Sequence, residues 1–155
     1  MRKIISDLLL SIPIKYKHTL RVQCKIFSPD KTTYREVSLI IDTGASATSL
    51  LRSELENLNY SNLTKGRTIN RTAGGLLYLD KTILSRIEIG GEFGISNLEI
   101  NVLDWEDSSV HGIIGMDILS RLHIHSDTKY FNISSEPFKI LERERNYFDE
   151  NFEDD

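Results

Sequence analysis

The side chains best placed to do chemistry sit in the stretch SLIIDTGASATSL, residues 38–50. Asp42 follows three large aliphatics, Leu39, Ile40 and Ile41, and small residues follow it at once: Thr43, Gly44, Ala45 and Ser46. Burying a charged carboxylate is expensive, so an acid is rarely run into apolar surroundings without a purpose. Two purposes fit. Asp42 can cap the turn that ends a strand through its side-chain oxygens. It can also act as a general acid or base whose ionisation is tuned by its surroundings. Gly44 lets another backbone approach closely, and Thr43 offers a hydroxyl and a methyl. A second landmark lies farther along the chain, the aliphatic pair Ile113 and Ile114 ahead of Gly115.

The other chemical candidates carry less. His123 and His125 would share one face of a strand, a spacing that can bind a metal. No third ligand is evident, and a solvated pair is the simpler reading. His111 precedes Gly112 and could line a cleft, although a turn histidine accounts for it more simply. Cys24 lies among alternating apolar positions and reads as core. The sequence holds no phosphate-binding loop, no Cys-x-x-Cys pair and no Gly-x-Ser-x-Gly elbow. No metal and no cofactor is expected.

Positioning Asp42 requires a scaffold of short strands broken by turn residues. Residues 18–27 alternate through Leu20, Val22, Cys24 and Ile26, and SPDKTT at 28–33 is a turn cluster. Residues 34–41 then set Val37, Leu39 and Ile41 on one face, which puts Asp42 on the other with Ser38 and Ile40. Residues 50–58 suit a short helix. Residues 68–73 and 76–89 read as two strands around Gly74 and Gly75, a hairpin signal. Residues 97–105 alternate again. Ile113, Ile114 and Gly115 lead into one or two helical turns between Met116 and Leu122, and residues 130–141 close with more strand. Many short strands and little helix indicate an all-β domain, a small barrel or sandwich.

With these landmarks in order, the chain resembles the retropepsin-like aspartic proteases, in the single-domain form found in retroviruses and many bacteria. The family signature, two hydrophobic residues and then Asp-Thr-Gly-Ala, is met by Ile40 to Ala45. A glycine-tipped flap hairpin follows in the family, and RTAGGLLYL resembles it. The last block, two hydrophobic residues and a glycine leading into a short helix, is met by Ile113, Ile114 and Gly115 with MDIL behind them. The resemblance covers about residues 12–140.

The resemblance implies a small closed β-barrel with Asp42 at the floor of a cleft, facing a second aspartate. The two carboxylates would share one proton, because like charges that close cannot both ionise easily. Asp-Thr-Gly occurs once here, and Asp80, Asp104, Asp107, Asp117 and Asp127 are not followed by Thr-Gly or Ser-Gly. The second Asp42 would therefore come from a second copy across a two-fold axis, making the active form a homodimer. By the same resemblance Thr43 and Gly44 form the floor and lock the dimer. Ala45, Ser46, Gly74, Gly75, Ile113 and Ile114 meet the substrate, a peptide or protein. Retroviral members pair an Asp and an Arg at the positions held here by Ser46 and Met116, so that ion pair is absent. Bacterial members often match this chain at both places. The implied function is an aspartic endopeptidase. The rival reading is a non-catalytic module of the same fold that binds peptides or recruits a partner, although such a module has no need of an intact Asp-Thr-Gly.

Composition sets outer bounds. The chain has 155 residues, 39% hydrophobic and 27% charged, which suits one globular domain with its own core. The net charge of −4 argues against nucleic acid as a partner. Residues 142–155 hold seven acids against two arginines, so the acidity lies in the tail. The expected organisation is an N-terminal segment at 1–11, a protease domain at 12–141 and a flexible acidic tail at 142–155. Asp7 interrupts the apolar run near the start, so that run does not read as a signal peptide. No segment reaches the length of a membrane span. A single cysteine fits a reducing compartment, and the expected location is the cytoplasm.

Overall fold

The computed structural model describes residues 9–15, 19–61, 63, 66–72, 75–90, 93–104 and 109–135. In chain order the elements are β1 (Leu9–Pro13), β2 (Arg21–Phe27), β3 (Tyr34–Ile41), β4 (Ser49–Leu51) and α1 (Arg52–Asn57). Then come β5 (Gly66–Thr72), β6 (Gly75–Ile89), β7 (Phe93–Leu103), β8 (Gly112–Ile114), α2 (Met116–Leu119), β9 (His123–Ser126) and β10 (Tyr130–Ser134). The fold is all-β with two short helices, as the sequence pattern indicates.

Period-two alternation builds the first hairpin. Val22, Cys24 and Ile26 of β2 and Val37, Leu39 and Ile41 of β3 are all buried, and the strands pair antiparallel with Val22 opposite Leu39 and Cys24 opposite Val37. Asp30 sets the connecting turn: one carboxylate oxygen accepts from the Ser28 hydroxyl at 2.7 Å and from the Thr32 amide at 3.0 Å. The larger sheet runs in the order β2-β3-β8-β4-β7-β6-β5, and β2 also pairs with β6. That second pairing closes six strands into a barrel, and β5 continues outward as one arm of the β5–β6 hairpin. Closure removes the exposed sheet edges that an open sheet of this size would carry.

Two pairings in the barrel are parallel, β3 with β8 and β4 with β7. Parallel neighbours need crossover connections, and these bring residues far apart in sequence side by side. Leu39, Leu50, Leu84, Ile100, Val102 and Ile114 fill the barrel and are nearly inaccessible. Outside it, β1, β10 and β9 form a second sheet, from which Phe131 and Ile133 join the same core. No helix among the described residues is long and apolar enough to cross a membrane.

Several element boundaries differ from the sequence expectation. β7 begins at Phe93, ahead of residue 97, because the strand runs through Gly94 and Ser96, poor strand formers that backbone pairing with Glu88 and Arg86 holds in place. The helix after Gly115 is a single turn ending at Leu119. β1 and β4 had no signal of their own. β1 crosses the boundary drawn at residue 12 and pairs with β10, Ser11 opposite Asn132. The strand expected at residues 138–141 lies outside the described residues, as does the acidic tail.

Candidate active site

Asp42 stands one residue past the end of β3, where the parallel β3–β8 ladder has just paired Ile41 with Ile114. Its amide extends that ladder by donating to the Ile114 carbonyl at 3.0 Å. The chain then turns sharply: the Ala45 amide donates to the Asp42 carbonyl at 3.2 Å, and the Gly44 amide donates to Asp42 Oδ1 at 2.9 Å. A Cβ on Gly44 would lie 3.2 Å from that same oxygen, a tight contact that the bare glycine avoids. Asp42 is half-buried, while Thr43, Gly44 and Ser46 are exposed. The turn-capping purpose read from the sequence is met by one oxygen, and the side chain still reaches the surface.

The loop is held from behind by the segment after β8. The Met116 amide donates to the Ala45 carbonyl at 2.8 Å, and the Asp117 amide donates to the Ser46 carbonyl at 3.2 Å. Gly115 makes this contact possible, because a Cβ there would lie 2.7 Å from the Ala47 carbonyl carbon and oxygen. Thr48 is fully buried beside it. Its amide and hydroxyl donate to the two oxygens of Asp117, at 2.9 and 2.7 Å, and its Oγ1 accepts from the Gly115 amide at 3.2 Å. Asp117 also accepts from the Ile118 amide at 2.9 Å. The sequence reading considered Asp117 only as a second acid and did not single out Thr48. The available signal was an acid two residues beyond Gly115, at the start of a helical turn, where free amides favour a carboxylate.

Ile114 is core, whereas Ile113 faces the other way, half-buried and paired with Ile40 on the Asp42 side of the sheet. The two landmarks of the sequence, Asp42–Gly44 and Ile113–Gly115, are therefore joined directly by hydrogen bonds and pairing. Gly75 opens β6 with φ 120°, a conformation that favours glycine, and it is exposed. It pairs with Thr72 at the end of the β5–β6 hairpin. Gly74 lies outside the described residues.

The remaining described aspartates are engaged elsewhere. Asp80 and Asp104 both accept from Arg52, at 2.8 and 2.6 Å. Asp127 accepts from the Lys129 and Tyr130 amides at the turn into β10. Asp107 lies outside the described residues. His111 sits at the entrance to β8, where its Nδ1 accepts from the Ser38 amide at 2.8 Å and its own amide donates to the Ser38 carbonyl at 2.9 Å. Its Nε2 faces Glu54 at 3.8 Å. His111 is thus an extension of the β3–β8 pairing and neither a free turn nor a free cleft group. His123 and His125 lie on β9, and no group of three His, Cys, Asp or Glu among the described residues could hold a metal ion. Cys24 is buried as expected, and burial pushes its thiol up to about 12.

A sequence profile for aspartyl protease matches residues 22–118, the span from β2 to the turn after β8. No curated protein matches the chain in sequence. Among solved structures the chain is similar to a retropepsin-like aspartic protease from Rickettsia conorii, with a TM-score of 0.60 and 16% identity. That likeness covers 83% of this chain and 91% of the other, and at this identity it speaks for the fold. The profile covers most of the chain and spans Asp42, its turn and the Ile113–Gly115 block that grips it. The chain therefore belongs to the aspartyl protease family, in a retropepsin-like fold.

Proposed function

We propose that the chain is an aspartic endopeptidase whose catalytic dyad is formed by Asp42 of two copies. The observation that carries this reading is the presentation of a single aspartate. Asp42 is braced at its amide by Ile114 and at one oxygen by Gly44, on an exposed turn, and every other described aspartate is bound elsewhere. One barrel holds half a dyad, and a two-fold axis through the exposed Thr43–Gly44 turn supplies the other half. Thr43 of each copy then locks the floor.

In the dimer one carboxylate is charged and the other carries the shared proton. The charged oxygen accepts a proton from a water held between the two. The water oxygen attacks the scissile carbonyl carbon while the neutral carboxyl donates its hydrogen bond to the carbonyl oxygen. The resulting diol collapses with a proton passed to the departing amine, and no covalent enzyme intermediate forms. Ala45, Ser46, Gly74, Gly75 and Ile113 serve as substrate contacts, with the β5–β6 hairpin acting as a flap over a bound peptide. A homodimer acting on a peptide or protein in the cytoplasm suits the single, buried cysteine. The domain at 12–141 carries the activity.

The test is hydrolysis of a mixed peptide library by purified protein, by Asp42→Asn, and by protein with an aspartic-protease inhibitor. Cleavage confined to the uninhibited parent is expected. An Asp42→Asn protein that cleaves as fast as the parent would remove the proposal.

A further inference from the structure

The mechanism leaves unused a cluster of ionisable side chains at the far end of the ladder that carries Asp42. His111 heads β8 and is tied to three elements. Its Nδ1 accepts from the Ser38 amide of β3 at 2.8 Å, its own amide donates to the Ser38 carbonyl at 2.9 Å, and its carbonyl accepts from the Leu51 amide of β4 at 3.0 Å. Its Nε2 lies 3.8 Å from Glu54 Oε1 of α1, and Glu54 Oε2 accepts from Arg35 Nε of β3 at 2.5 Å. The imidazole thus stands in for a backbone carbonyl as the first rung of the β3–β8 ladder. The ladder continues through Leu39–Gly112, Ile40–Ile113 and Ile41–Ile114, and its last rung is the Asp42 amide on the Ile114 carbonyl. A neutral imidazole has one acceptor nitrogen and one donor, whereas an imidazolium has two donors. Nδ1 accepts from an amide, so the ring is neutral and its proton sits on Nε2, toward Glu54. A proton on Nδ1 would set two N–H groups against each other and leave the Ser38 amide without its acceptor. Glu54 compensates little, because its nearer oxygen is beyond hydrogen-bond reach of Nε2 and the other is held by Arg35.

We propose that His111 is a positioning residue for the Asp42 turn, a latch that is closed while its ring is neutral and released when the ring is protonated. Its consequence for activity rests on the endopeptidase reading above. β8 is only three residues long, so one rung at its head is a large part of its hold on β3. Gly112 cannot absorb the slack, because a Cβ there would collide with the Ser49 carbonyl oxygen and the backbone is packed directly against β4. Movement at His111 therefore passes through Ile113 and Ile114 to the Asp42 rung, and to Gly115 and Met116 behind the Asp42 loop. A quarter of the His111 side chain is exposed, so protons reach the ring. The charged groups around it come from four elements. Glu54 faces it from α1, and Arg35 of β3 reaches it through Glu54. Glu36 of β3 is two residues from Ser38 and lies opposite Lys25 of β2. Arg21 of β2 donates to the Ser109 carbonyl at 3.3 Å, two residues before the ring. β4 and β8 carry no ionisable side chain. None of these groups offers the Ser38 amide a replacement acceptor. Histidine is the side chain that changes charge between about pH 5 and 8, and the latch operates in that range.

Spectra test this apart from catalysis. Full-length, isotope-labelled Asp42→Asn protein is titrated from about pH 8 to pH 5, the range in which histidine changes charge, and the His111 ring and the backbone amides are followed by NMR. With no carboxylate at position 42, the Asp42 turn has no ionisable group of its own. The Ser38, Gly44 and Ala45 amides should shift with the same midpoint as the His111 ring. In Asp42→Asn/His111→Asn they should stay fixed, because the Asn side-chain oxygen accepts from the Ser38 amide and does not titrate. The other histidines are present in both proteins, so the difference belongs to His111. Cleavage gives the second readout. The acidic limb of the dyad is common to the parent and to His111→Asn, and the ratio of their kcat/KM values cancels it. That ratio, parent over variant, should fall about three- to tenfold between pH 8 and pH 5, the range that one neutral hydrogen bond supports. Turn amides that titrate alike with and without His111, or a ratio that stays constant with pH, would overturn the proposal. Spectra that follow His111 in a parent that cleaves no peptide would instead remove only the endopeptidase reading.

Discussion

Asp42 is half-buried but its turn is exposed, and that combination decides what its substitution does. Asp42→Asn keeps the shape and can still accept from the Gly44 amide, so the turn should survive. It cannot take a proton from water. The expected loss in kcat is on the order of 10³- to 10⁴-fold with little change in the unfolding midpoint, measured on one library peptide and by urea titration. Thr48 behaves in the opposite way. Thr48→Val keeps the volume but strips the hydroxyl from a buried network, leaving Asp117 short of one donor and the Gly115 amide without its acceptor. That should lower stability by about 1–3 kcal/mol in urea unfolding. Because the same network holds the loop after Asp42, turnover should fall as well, and a variant with full stability and full activity would show the network to be idle.

At the scale of the element, β2 carries a titratable group in the barrel wall. Burial raises the Cys24 thiol from 9.0 to about 12. Below pH 9 the thiol is protonated in both the folded and the unfolded chain, and its packing contributes fully. Between those two values the unfolded chain releases the proton while the folded barrel holds it, so stability falls as pH rises. The slope approaches about 1.4 kcal/mol per pH unit for one proton. Comparing urea midpoints of the parent and Cys24→Val from pH 8 to pH 11 isolates this contribution, and the parent curve should fall more steeply. Below pH 9 a thiol reagent should modify the folded protein far more slowly than the urea-unfolded chain. Parallel curves for parent and variant would show that β2 opens readily and that Cys24 is not sealed.

The whole molecule raises the question of copy number. One barrel presents one Asp42, and no described acid stands ready as its mate. Specific activity should therefore rise with concentration in the dilute range and level off once dimers dominate. Ser46 is exposed and uncharged, as is Met116 at 38% exposure, so these two positions add no ion pair to a dimer contact. Under the proposed two-copy dyad a weak dimer is expected, with its midpoint accessible to dilution and to analytical ultracentrifugation. Concentration-independent specific activity in a strictly monomeric sample would remove the two-copy dyad.

The sequence alone determined the pieces that are local. Alternation in β2 and β3 was legible because each residue type reports which face it occupies, and that placed Asp42 opposite the core side of Ile41. The Asp42–Gly44 turn was legible because a glycine eases the close approach of backbone to carboxylate. The β5–β6 hairpin was legible in outline from its glycines. What sequence could not supply was partnership across distance. The parallel β3–β8 pairing joins Asp42 to Ile114 through a connection that no local pattern encodes. Three-residue β4 and peripheral β1 have no periodic signal of their own and are strands because β7, β8 and β10 pair with them. Asp117 and His111 read as a spare acid and a turn histidine, and Thr48 was not singled out, until tertiary contact gave each a partner. Asn101 was legible only as one polar position in an alternating strand. Closure of the barrel made it a buried amide, because burial and hydrogen bonding are properties of the assembled surface and not of the chain.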